Sequence, residues 1–359
     1  MNIFKTVSKI FFCLSLLLPL AGCWDIKDIN HRTLPLMMGI AKNNDHFIVI
    51  LQIPIPTKDG AKYTIVKGIG PTVSKAVENI RTNSESSIDL LHLKLIIFEK
   101  NFAEEQGIQE PINTFIRIRD ISPKTIVAIS DEPIDYFFEK ISKGMENQGT
   151  FVYDFFEKNA GWTPEIALTR VWEIFRSMES FTQDTAVPIV KSGKNTIFEY
   201  VGSALFKRGK LVSTISPNQT LLYNAFHGNS VYGKIEVMKH ANVMIVSNSI
   251  KHDSQLIGDT PHINSVIKLK VVLQEVKGNP SEAEINKEMQ DVLTKRLRKM
   301  LVTLQKDQID LLGLGQYFRN QLSYEELKNW RSDYYPKLKM NFRIKTQIQD
   351  EGNLKYLSD

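Results

Sequence analysis

Polar and apolar residues alternate strictly near the end of the chain. From 338 to 348, every second side chain is apolar or threonine, and lysine, arginine, asparagine or glutamine lies between them. A period of two places one face of a strand against a core and leaves the other in solvent. The pattern therefore predicts a half-buried strand over these residues.

A helical period upstream predicts one long helix over 281–306. Its apolar positions are Ile285, Met289, Val292, Leu297, Met300, Leu301 and Leu304. Four cations cluster on it at Lys295, Arg296, Arg298 and Lys299. We predict that these cations form a solvated outer face. Contact with anionic lipid headgroups is the alternative, because a basic cluster near a membrane is attracted to it.

Strand and helix patterns alternate through the rest of the chain. Strands are predicted at 47–53, 91–98, 125–129, 199–206, 211–215, 235–238, 243–246 and 266–276. Helices are predicted at 71–81, 102–119 with a break near Gly107 and Pro111, 133–142, 163–178 and 219–226. For the helix at 163–178, Thr163 is the predicted cap and Pro164 the first residue. Residues 144–161 are predicted to form a loop or boundary.

The first residues of the chain predict a lipoprotein signal. Residues 1–9 contain two lysines and no acid, and the eleven residues 10–20 are almost wholly apolar. This stretch is too short to cross a bilayer, so it indicates a signal peptide over 1–22. Leu20-Ala21-Gly22-Cys23 matches the bacterial lipobox. We predict cleavage between Gly22 and Cys23 and an S-diacylglyceryl anchor on Cys23; an ordinary secretory signal is the alternative.

Composition excludes several classes of protein. No apolar run reaches the ~18–20 residues that span a bilayer, so a polytopic membrane protein is excluded. The chain has only two cysteines, and Cys13 leaves with the predicted signal, which excludes a disulfide-rich scaffold and a four-cysteine zinc module. The net charge of +5 is too small to indicate a nucleic-acid partner.

Motifs for nucleophilic, zinc or phosphate chemistry are absent from the sequence. The segment Gly68-Ile69-Gly70-Pro71-Thr72 partly matches a phosphate loop, but it lacks a third glycine and Pro71 removes an amide. We predict that it is a helix start capped by Thr72.

Two further groups of titratable residues are candidate sites. His252 and His262 flank Asp253 and Asp259, a donor set that suits a metal, but the polar stretch around them predicts an exposed loop. Asp184, Glu199 and the other acids show no paired arrangement that sequence reveals. We predict a protein that is not an enzyme, with no catalytic residue, cofactor or metal; an acid–base pair that folding assembles from distant residues is the alternative.

Several motifs in the chain are similar to those of one known family. Gly22-Cys23-Trp24-Asp25 and Gly39-Ile40 resemble that family's mature start, and 92–107 is similar to its His…Glu…Ala…Gly stretch. Residues 201–207 are similar to its Gly-x-Ala-x-Phe hairpin. Its C-terminal pattern is matched by Gln305, Asp310, Gly313-Leu314-Gly315, Trp330, Tyr335-Pro336 and Gly352. Over nearly the whole mature chain, the sequence thus resembles the Ger(x)C family, the C-subunit lipoproteins of bacterial spore germinant receptors.

The sequence departs from the family pattern at a few positions. Asp28 stands where the family has glutamate, and Leu312 and Leu314 replace two aromatic residues. The family's Pro-x-x-Trp before Trp330 is missing. Because these motifs look structural, the departures bear on the subgroup more than on membership.

The resemblance implies a location, partners and a role. Such proteins are held by their lipid on the outer side of the spore inner membrane. They assemble with an A subunit and a transporter-like B subunit, and the complex responds to nutrients such as amino acids or sugars. No enzymatic activity is attached to the family. The alternative is a lipid-anchored extracytoplasmic solute-binding protein or hydrolase, which needs a pocket with convergent polar groups.

The resemblance also implies mixed α/β domains, about three in number, the last built around a sheet and helices. With the patterns above, it predicts an α+β fold with largely antiparallel sheets flanked by helices. In the C-terminal domain a sheet packs with one long helix. We predict a division at residue 190, between an N-terminal region at 23–190, with one or two sub-domains, and a C-terminal domain at 191–359.

Overall fold

The computed structural model describes residues 32–58, 60–118, 120–148, 155–156, 164–229 and 235–350. The strands are β1 (Arg32–Thr33), β2 (Met37–Asn43), β3 (His46–Thr57), β4 (Gly60–Gly70), β5 (Ser87–Ile88), β6 (Leu95–Glu99), β7 (Ile126–Ser130), β8 (Thr185–Ser192), β9 (Phe198–Lys207), β10 (Lys210–Ile215), β11 (Ile235–Val237), β12 (Ala241–Ile257), β13 (Thr260–Val276) and β14 (Lys339–Asp350). The helices are α1 (Val73–Thr82), α2 (Lys100–Glu105), α3 (Gln109–Arg117), α4 (Ile134–Gln148), α5 (Val171–Glu179), α6 (Pro217–Phe226), α7 (Glu282–Lys306) and α8 (Tyr324–Lys328).

An eight-stranded sheet forms the first layer, in the order β10-β9-β8-β7-β6-β2-β3-β4. The strands β2, β6, β7 and β8 run parallel, and antiparallel pairs complete both edges. The predicted α+β class with helix-flanked sheets is confirmed. The parallel centre arises because helices cross over between β6, β7 and β8, whereas tight hairpins at the edges join antiparallel neighbours.

Helices cover both faces of this sheet. The helices α1, α3 and α5 contribute to the core on one face, and α4 contributes to the core on the other. The approach of α4 is close at Gly39 in β2, where an added Cβ would lie 2.5 Å from Cε2 of Phe138. The predicted cap at Thr72 is confirmed, because its side chain accepts a hydrogen bond from Lys75 N.

A four-stranded sheet in the order β11-β12-β13-β14 forms the second layer. β12 and β13 form a long hairpin, and β14 runs parallel to β13. The helices α6 and α7 pack on one face, which confirms a C-terminal sheet packed with one long helix. The same core includes Ala186, Leu205 and Ile215 from the first layer. The two layers therefore share one hydrophobic core.

The predicted helix start at 163–165 is wrong, apart from Thr163 itself, which lies outside the described residues. Residues 164–166 form a turn, and α5 begins only at Val171. Just before it, Thr169 O accepts from Val127 N at 2.8 Å and Thr125 O accepts from Val171 N at 3.0 Å. Pairing with β7 therefore holds the backbone extended and overrides the local helix signal.

The exposed loop predicted around 252–262 is also wrong. His252 and His262 lie within β12 and β13, whose turn is at Gly258 and Asp259. Side chains alternate there between more buried and more exposed positions, as in any strand with one covered face. The sequence does not show this alternation clearly, because polar residues occupy positions on both faces. The buried positions of β13 include Ser265 beside Ile263 and Ile267, so the apolar pattern along the strand is interrupted.

On α7, Leu293 rather than the predicted Val292 lies in the core.

Local turn chemistry agrees with the sequence at two other places. Gly107 has a φ of +81° and separates α2 from α3, whereas Pro111 lies within the first turn of α3, where proline is tolerated. Arg208 and Gly209 both have positive φ and join β9 to β10, as a two-residue hairpin requires.

The predicted division at residue 190 remains a prediction. This residue lies within β8, and the first sheet continues through β9 and β10 to Ile215. The predicted loop at 144–161 lies largely outside the described residues, and its beginning is the last turn of α4.

Candidate functional site

Residues of the C-terminal motifs meet at a fully buried carboxylate. Asp310 accepts hydrogen bonds from Leu314 N at 2.8 Å, Gly315 N at 2.7 Å and Trp330 Nε1 at 2.8 Å. Both carboxylate oxygens are therefore used, and Trp330 is itself fully buried. The spacing of the motif has a structural reason, since the acid caps the turn that follows it.

Beside this carboxylate, a buried ion pair joins the C-terminal segment to the first sheet. Asp184 lies directly before β8, and Arg331 donates to it from Nε at 2.9 Å and Nη2 at 2.8 Å. Asp184 Oδ2 also accepts from Asp310 N at 2.8 Å, and Asp310 O accepts from Asp184 N at 2.9 Å. We call Asp184, Asp310, Trp330 and Arg331 the buried junction. It ties the C-terminal segment to the large sheet.

The glycines of the motif make the buried junction possible. Gly313 has a φ of +65°, a left-handed conformation that glycine adopts without strain. A Cβ on Gly315 would lie 2.6 Å from the indole of Trp330, so only glycine fits there. Gln305 completes the arrangement by donating to Tyr335 O at 3.0 Å and Leu338 O at 2.8 Å. The end of α7 is thereby fixed to the start of β14.

The electrostatics of the buried junction are unbalanced, because two buried carboxyl groups lie side by side and only Asp184 is paired with a guanidinium. Complete burial raises the pKa of Asp310 to about 7, against the lowering effect of its three donors. Burial also raises the pKa of Asp184, although the adjacent Arg331 opposes it. The cost of placing a charge in the core therefore outweighs the hydrogen bonds that favour it.

We expect the stability of the chain to depend on pH through Asp310. A carboxyl whose pKa is raised by folding stabilises the fold below its unfolded pKa, and this stabilisation is lost as pH rises through its folded pKa. For a folded pKa of about 7, the free energy of unfolding should fall by about 2–3 kcal/mol between pH 5 and pH 8. Urea titrations of the wild type and Asp310→Asn at both pH values measure it.

The Asp310→Asn variant serves as the control, since its side chain does not titrate. Between pH 5 and pH 8, its free energy of unfolding should fall by about 2–3 kcal/mol less than that of the wild type. Equal pH dependence in the two proteins would contradict the assignment to Asp310.

A cleft of about 910 Å³ opens beside the buried junction, between α5 and α8. We call it the aromatic cleft; its side chains include Trp172, Phe175, Arg176, Glu179, Phe181, Arg319 and Tyr324. The rings of Phe181 and Tyr324 meet edge to face with centroids 5.8 Å apart, and the Arg176 guanidinium lies 5.0 Å from the Trp172 centroid. Rings and two guanidinium groups suit an anionic or aromatic group.

The aromatic cleft offers little for acid–base chemistry. Its described lining contains one carboxylate, Glu179, and no histidine. Glu173, at the other end of α5, lies outside this lining. Burial raises its pKa, and its carboxylate accepts from Arg170 N at 2.8 Å as part of a helix cap. Across the part of the chain that the structure describes, no three histidine, cysteine or acidic residues are grouped to hold a metal ion.

Most residues weighed from the sequence do not gather at the buried junction. His252 donates to or accepts from Ser265 Oγ at 2.8 Å and lies against Tyr317, so it is a packed strand residue. Lys295 and Lys299 are exposed on α7. The predicted lipid site at Gly22 and Cys23 lies outside the described residues and remains a prediction.

The central hairpin motif is also structural. In β9, a Cβ on Gly202 would lie 2.4 Å from Ile215 O of the paired strand. Ser203 is fully buried and shares hydrogen bonds with Tyr200 and Thr220, at 2.9 and 3.0 Å. The hairpin therefore attaches α6 to the first sheet.

Sequence reasoning missed the partnership of Asp184 and Arg331. The two residues are 147 positions apart, so no local pattern links them. A weak signal was present, because Asp184 directly precedes the apolar run of β8 and Asp310 stands between Ile309 and Leu311. An acid inside an apolar run indicates a buried partner without identifying it.

Family models match both parts of the chain. The "Spore germination protein N-terminal domain" matches residues 25–192, and "Spore germination B3/ GerAC like, C-terminal" matches residues 201–352. The boundary between the two matches lies shortly after β8. Together they include both sheets and all four residues of the buried junction.

Curated relatives and one solved structure agree with these matches. The chain is 23% identical to "Spore germination protein B3" of Bacillus subtilis (strain 168), over 98% of this chain and 96% of that protein. It is 21% identical to "Spore germination protein GerQC" of Bacillus cereus, over 79% and 81%. The crystal structure of the GerBC protein shares the fold, with a TM-score of 0.56 and 16% identity over 87% of this chain and 96% of that one.

Proposed function

Because the chain belongs to the Ger(x)C family of spore germination proteins, we propose that it is a lipid-anchored, non-catalytic subunit of a nutrient germinant receptor. A role in germination is common to its relatives by their names. The observation that carries the proposal is the extent of the match. The family's N-terminal domain model matches the first half of the chain, and its C-terminal domain model matches the second half.

The use of the buried polar groups supports a structural rather than catalytic role. Asp184, Asp310 and Arg331 are all occupied by hydrogen bonds within the chain, so none is free to bind a substrate. By fixing the two layers to each other, the buried junction makes the chain suited to pass a displacement between partners. The proposed partners are the A and B subunits of the receptor, and the proposed nutrient is bound by the complex.

We further propose that the chain is held on the outer side of the spore inner membrane by the lipid on Cys23. None of the described helices is both long and apolar enough to cross a bilayer. Two acyl chains hold a protein stably, since each buried CH₂ contributes about 0.8 kcal/mol.

Spores that lack this gene provide the test. Complementation with the wild type should restore dipicolinic-acid release for one class of nutrient, whereas Cys23→Ala should leave release near the level of the deletion. The physical reason is that the unanchored chain is diluted away from its membrane partners. Release is followed across a panel of amino acids, sugars and salts.

The matched control is Cys13→Ala, which changes the other cysteine. Because Cys13 lies in the predicted signal peptide, this variant should complement as well as the wild type. Intact mass of the mature protein checks that cleavage precedes Cys23 and that lipid is attached. Release that is normal across the panel in the deletion strain would contradict the receptor role, and full activity of Cys23→Ala would contradict the anchor.

The aromatic cleft favours one alternative, a lipid-anchored solute-binding protein. Clefts between structural units are common ligand sites, and this one combines apolar walls with Arg176 and Arg319. A nutrient that raises the melting temperature of the wild type but not of Arg176→Gln would support it. The hydrolase alternative gains no such support, because the described lining holds a single carboxylate.

A further inference from the structure

The four-stranded sheet has one buried face and one exposed face. Ile267 and Leu269 of β13 and Ile344 of β14 point toward the core that α6 and α7 cover. The residues between them point the other way, because side chains alternate along a strand. Lys268 and Lys345 are exposed on this outer side.

The outer face is strongly basic. Register partners on adjacent strands show which outer side chains lie next to each other. The pairs are Lys251↔Val266, Val266↔Arg343, Lys268↔Lys345 and Lys270↔Gln347, and each set of partners forms one row across the sheet. We call this surface the basic face; its cations are Lys251, Lys268, Lys270, Lys339, Arg343 and Lys345. Two acids lie on its described part. Glu275, which accepts from Asn242, is at one end, and Asp253 lies between the row of Lys251 and the row of Lys339.

The cations of the basic face lack partners within the described part of the chain. None of the six forms an ion pair or side-chain hydrogen bond with another described residue. Lys268 and Lys345 are direct neighbours in register. Like charges directly opposite each other destabilise a sheet, so this arrangement costs stability in the isolated chain.

Protection of the sheet edge explains only part of the pattern. Charged residues, above all lysine, are common on edge strands because they block pairing with other chains. This accounts for Lys339, Arg343 and Lys345 on β14, which is an edge strand. Lys251 lies on a part of β12 that β11 does not reach, so edge protection can apply to it as well. Lys268 and Lys270 lie on β13, which is paired on both sides, and they need another reason.

We propose that the basic face binds a surface of anionic lipid headgroups. Several cations on a flat surface attract such a membrane, each by an amount that adds to the others. A protein partner fits less well, because the cores of protein interfaces are depleted of lysine and contain apolar anchors. Between the cations lie short polar side chains such as Ser249 and Asn341 and one half-buried apolar residue, Val266. The exposed Ile257 lies on the same face, at the hairpin end beyond the cations.

The basic helix surface predicted from sequence points in a different direction. Leu293 and Leu297 of α7 pack on the inner side of the sheet, so Lys295 and Lys299 lie on the far side of the helix. A flat membrane cannot contact both surfaces at once. The proposal therefore assigns the sheet, and not the helix, to the membrane.

This inference deepens the proposed function, because it orients a membrane-bound subunit, but its test does not depend on the lipid anchor. The mature chain without lipid, residues 24–359, is suitable because all described residues of the three cores lie between Leu36 and Ile348. Its binding to vesicles of phosphatidylglycerol and phosphatidylcholine in equal parts is measured by co-sedimentation at low salt. Pure phosphatidylcholine vesicles are the reference.

The informative variant is Lys268→Gln with Lys345→Gln, and the matched control is Lys295→Gln with Lys299→Gln. Both pairs remove two exposed cations and change net charge equally. We expect the sheet variant to bind anionic vesicles roughly 30-fold more weakly than the wild type, since each cation contributes about 1 kcal/mol. The helix variant should bind as the wild type does, and high salt should abolish binding.

Three outcomes would overturn the proposal. These are no binding of the wild type to anionic vesicles, equal losses in the two variants, or a loss confined to the helix variant. Equal melting temperatures of the three proteins check that folding is unchanged. A failure here leaves the germination assay unaffected, whereas a failed germination assay with intact vesicle binding would refute the receptor role alone.

Discussion

Arg331→Met lowers the free energy of unfolding by about 3–5 kcal/mol in the result we expect. The substitution keeps much of the side-chain volume but removes both hydrogen bonds to the Asp184 carboxylate. Asp184 has a fully buried side chain, so its charge would then lack a compensating partner. Removing one member of a buried pair is costly because the other stays desolvated. Urea unfolding at neutral pH measures the change.

The matched control is Arg319→Met, which removes the same group from the same segment of the chain. Arg319 is exposed and makes one long hydrogen bond to Gln316, at 3.4 Å. Its loss should change stability by less than about 0.5 kcal/mol. A similar effect of the two substitutions would show that the buried junction does not hold the layers together.

Trp330→Ala is expected to destabilise the chain by about 3–5 kcal/mol, through lost packing and a cavity. The indole is fully buried, stacks on Phe318 at 5.2 Å between centroids, and donates to Asp310. Losing this donor leaves the Asp310 carboxylate with fewer partners in the core, which adds to the packing loss. Thermal and urea unfolding report the change.

Trp172→Ala provides the comparison for the same residue type. Trp172 is 38% exposed in the aromatic cleft, so less apolar surface is lost there. We expect an effect below about 1 kcal/mol. If Trp330→Ala were as mild as Trp172→Ala, the motif around Gly315 would need an explanation other than packing.

These variants also test the proposed function. If the chain transmits a displacement between partners, weakening the buried junction should reduce nutrient-triggered release more than the loss of folded protein explains. The two layers share a core through Ala186 and Leu205, and the Asp184–Arg331 ion pair holds them in one relative position. Measuring both protein level and release in the same spores separates the two contributions.

Local patterns predicted much of the architecture. The long helix appears as α7, with the predicted Ser281 start confirmed by a reciprocal cap with Glu284, and the period-two segment appears as β14. The break near Gly107 was also predicted, because it needs a backbone conformation that glycine adopts readily. In such cases the cause lies within a few neighbouring residues.

The errors share a single physical origin. Residues 164–170 have a good helix signal, yet they form a turn followed by an extended segment. The cause is backbone hydrogen bonding of Thr169 to Val127 in β7 and of Val171 to Thr125 just before it. The polar strands around His252 and His262 have a weak signal, and they form because each supplies the other's hydrogen bonds across the hairpin. Tertiary pairing decides such segments, since their local preferences are small compared with a full ladder of hydrogen bonds.

The sequence by itself determined the family resemblance, the predicted lipid anchor, and the identity of most helices and strands, because each depends on spacing along the chain. Only the tertiary structure decided that Asp184 meets both Arg331 and Asp310, and that six cations lie on one sheet face. These arrangements depend on strand order and register, which bring distant residues together. Periodicity shows that a side chain is exposed or buried, but it does not show which distant residue lies beside it.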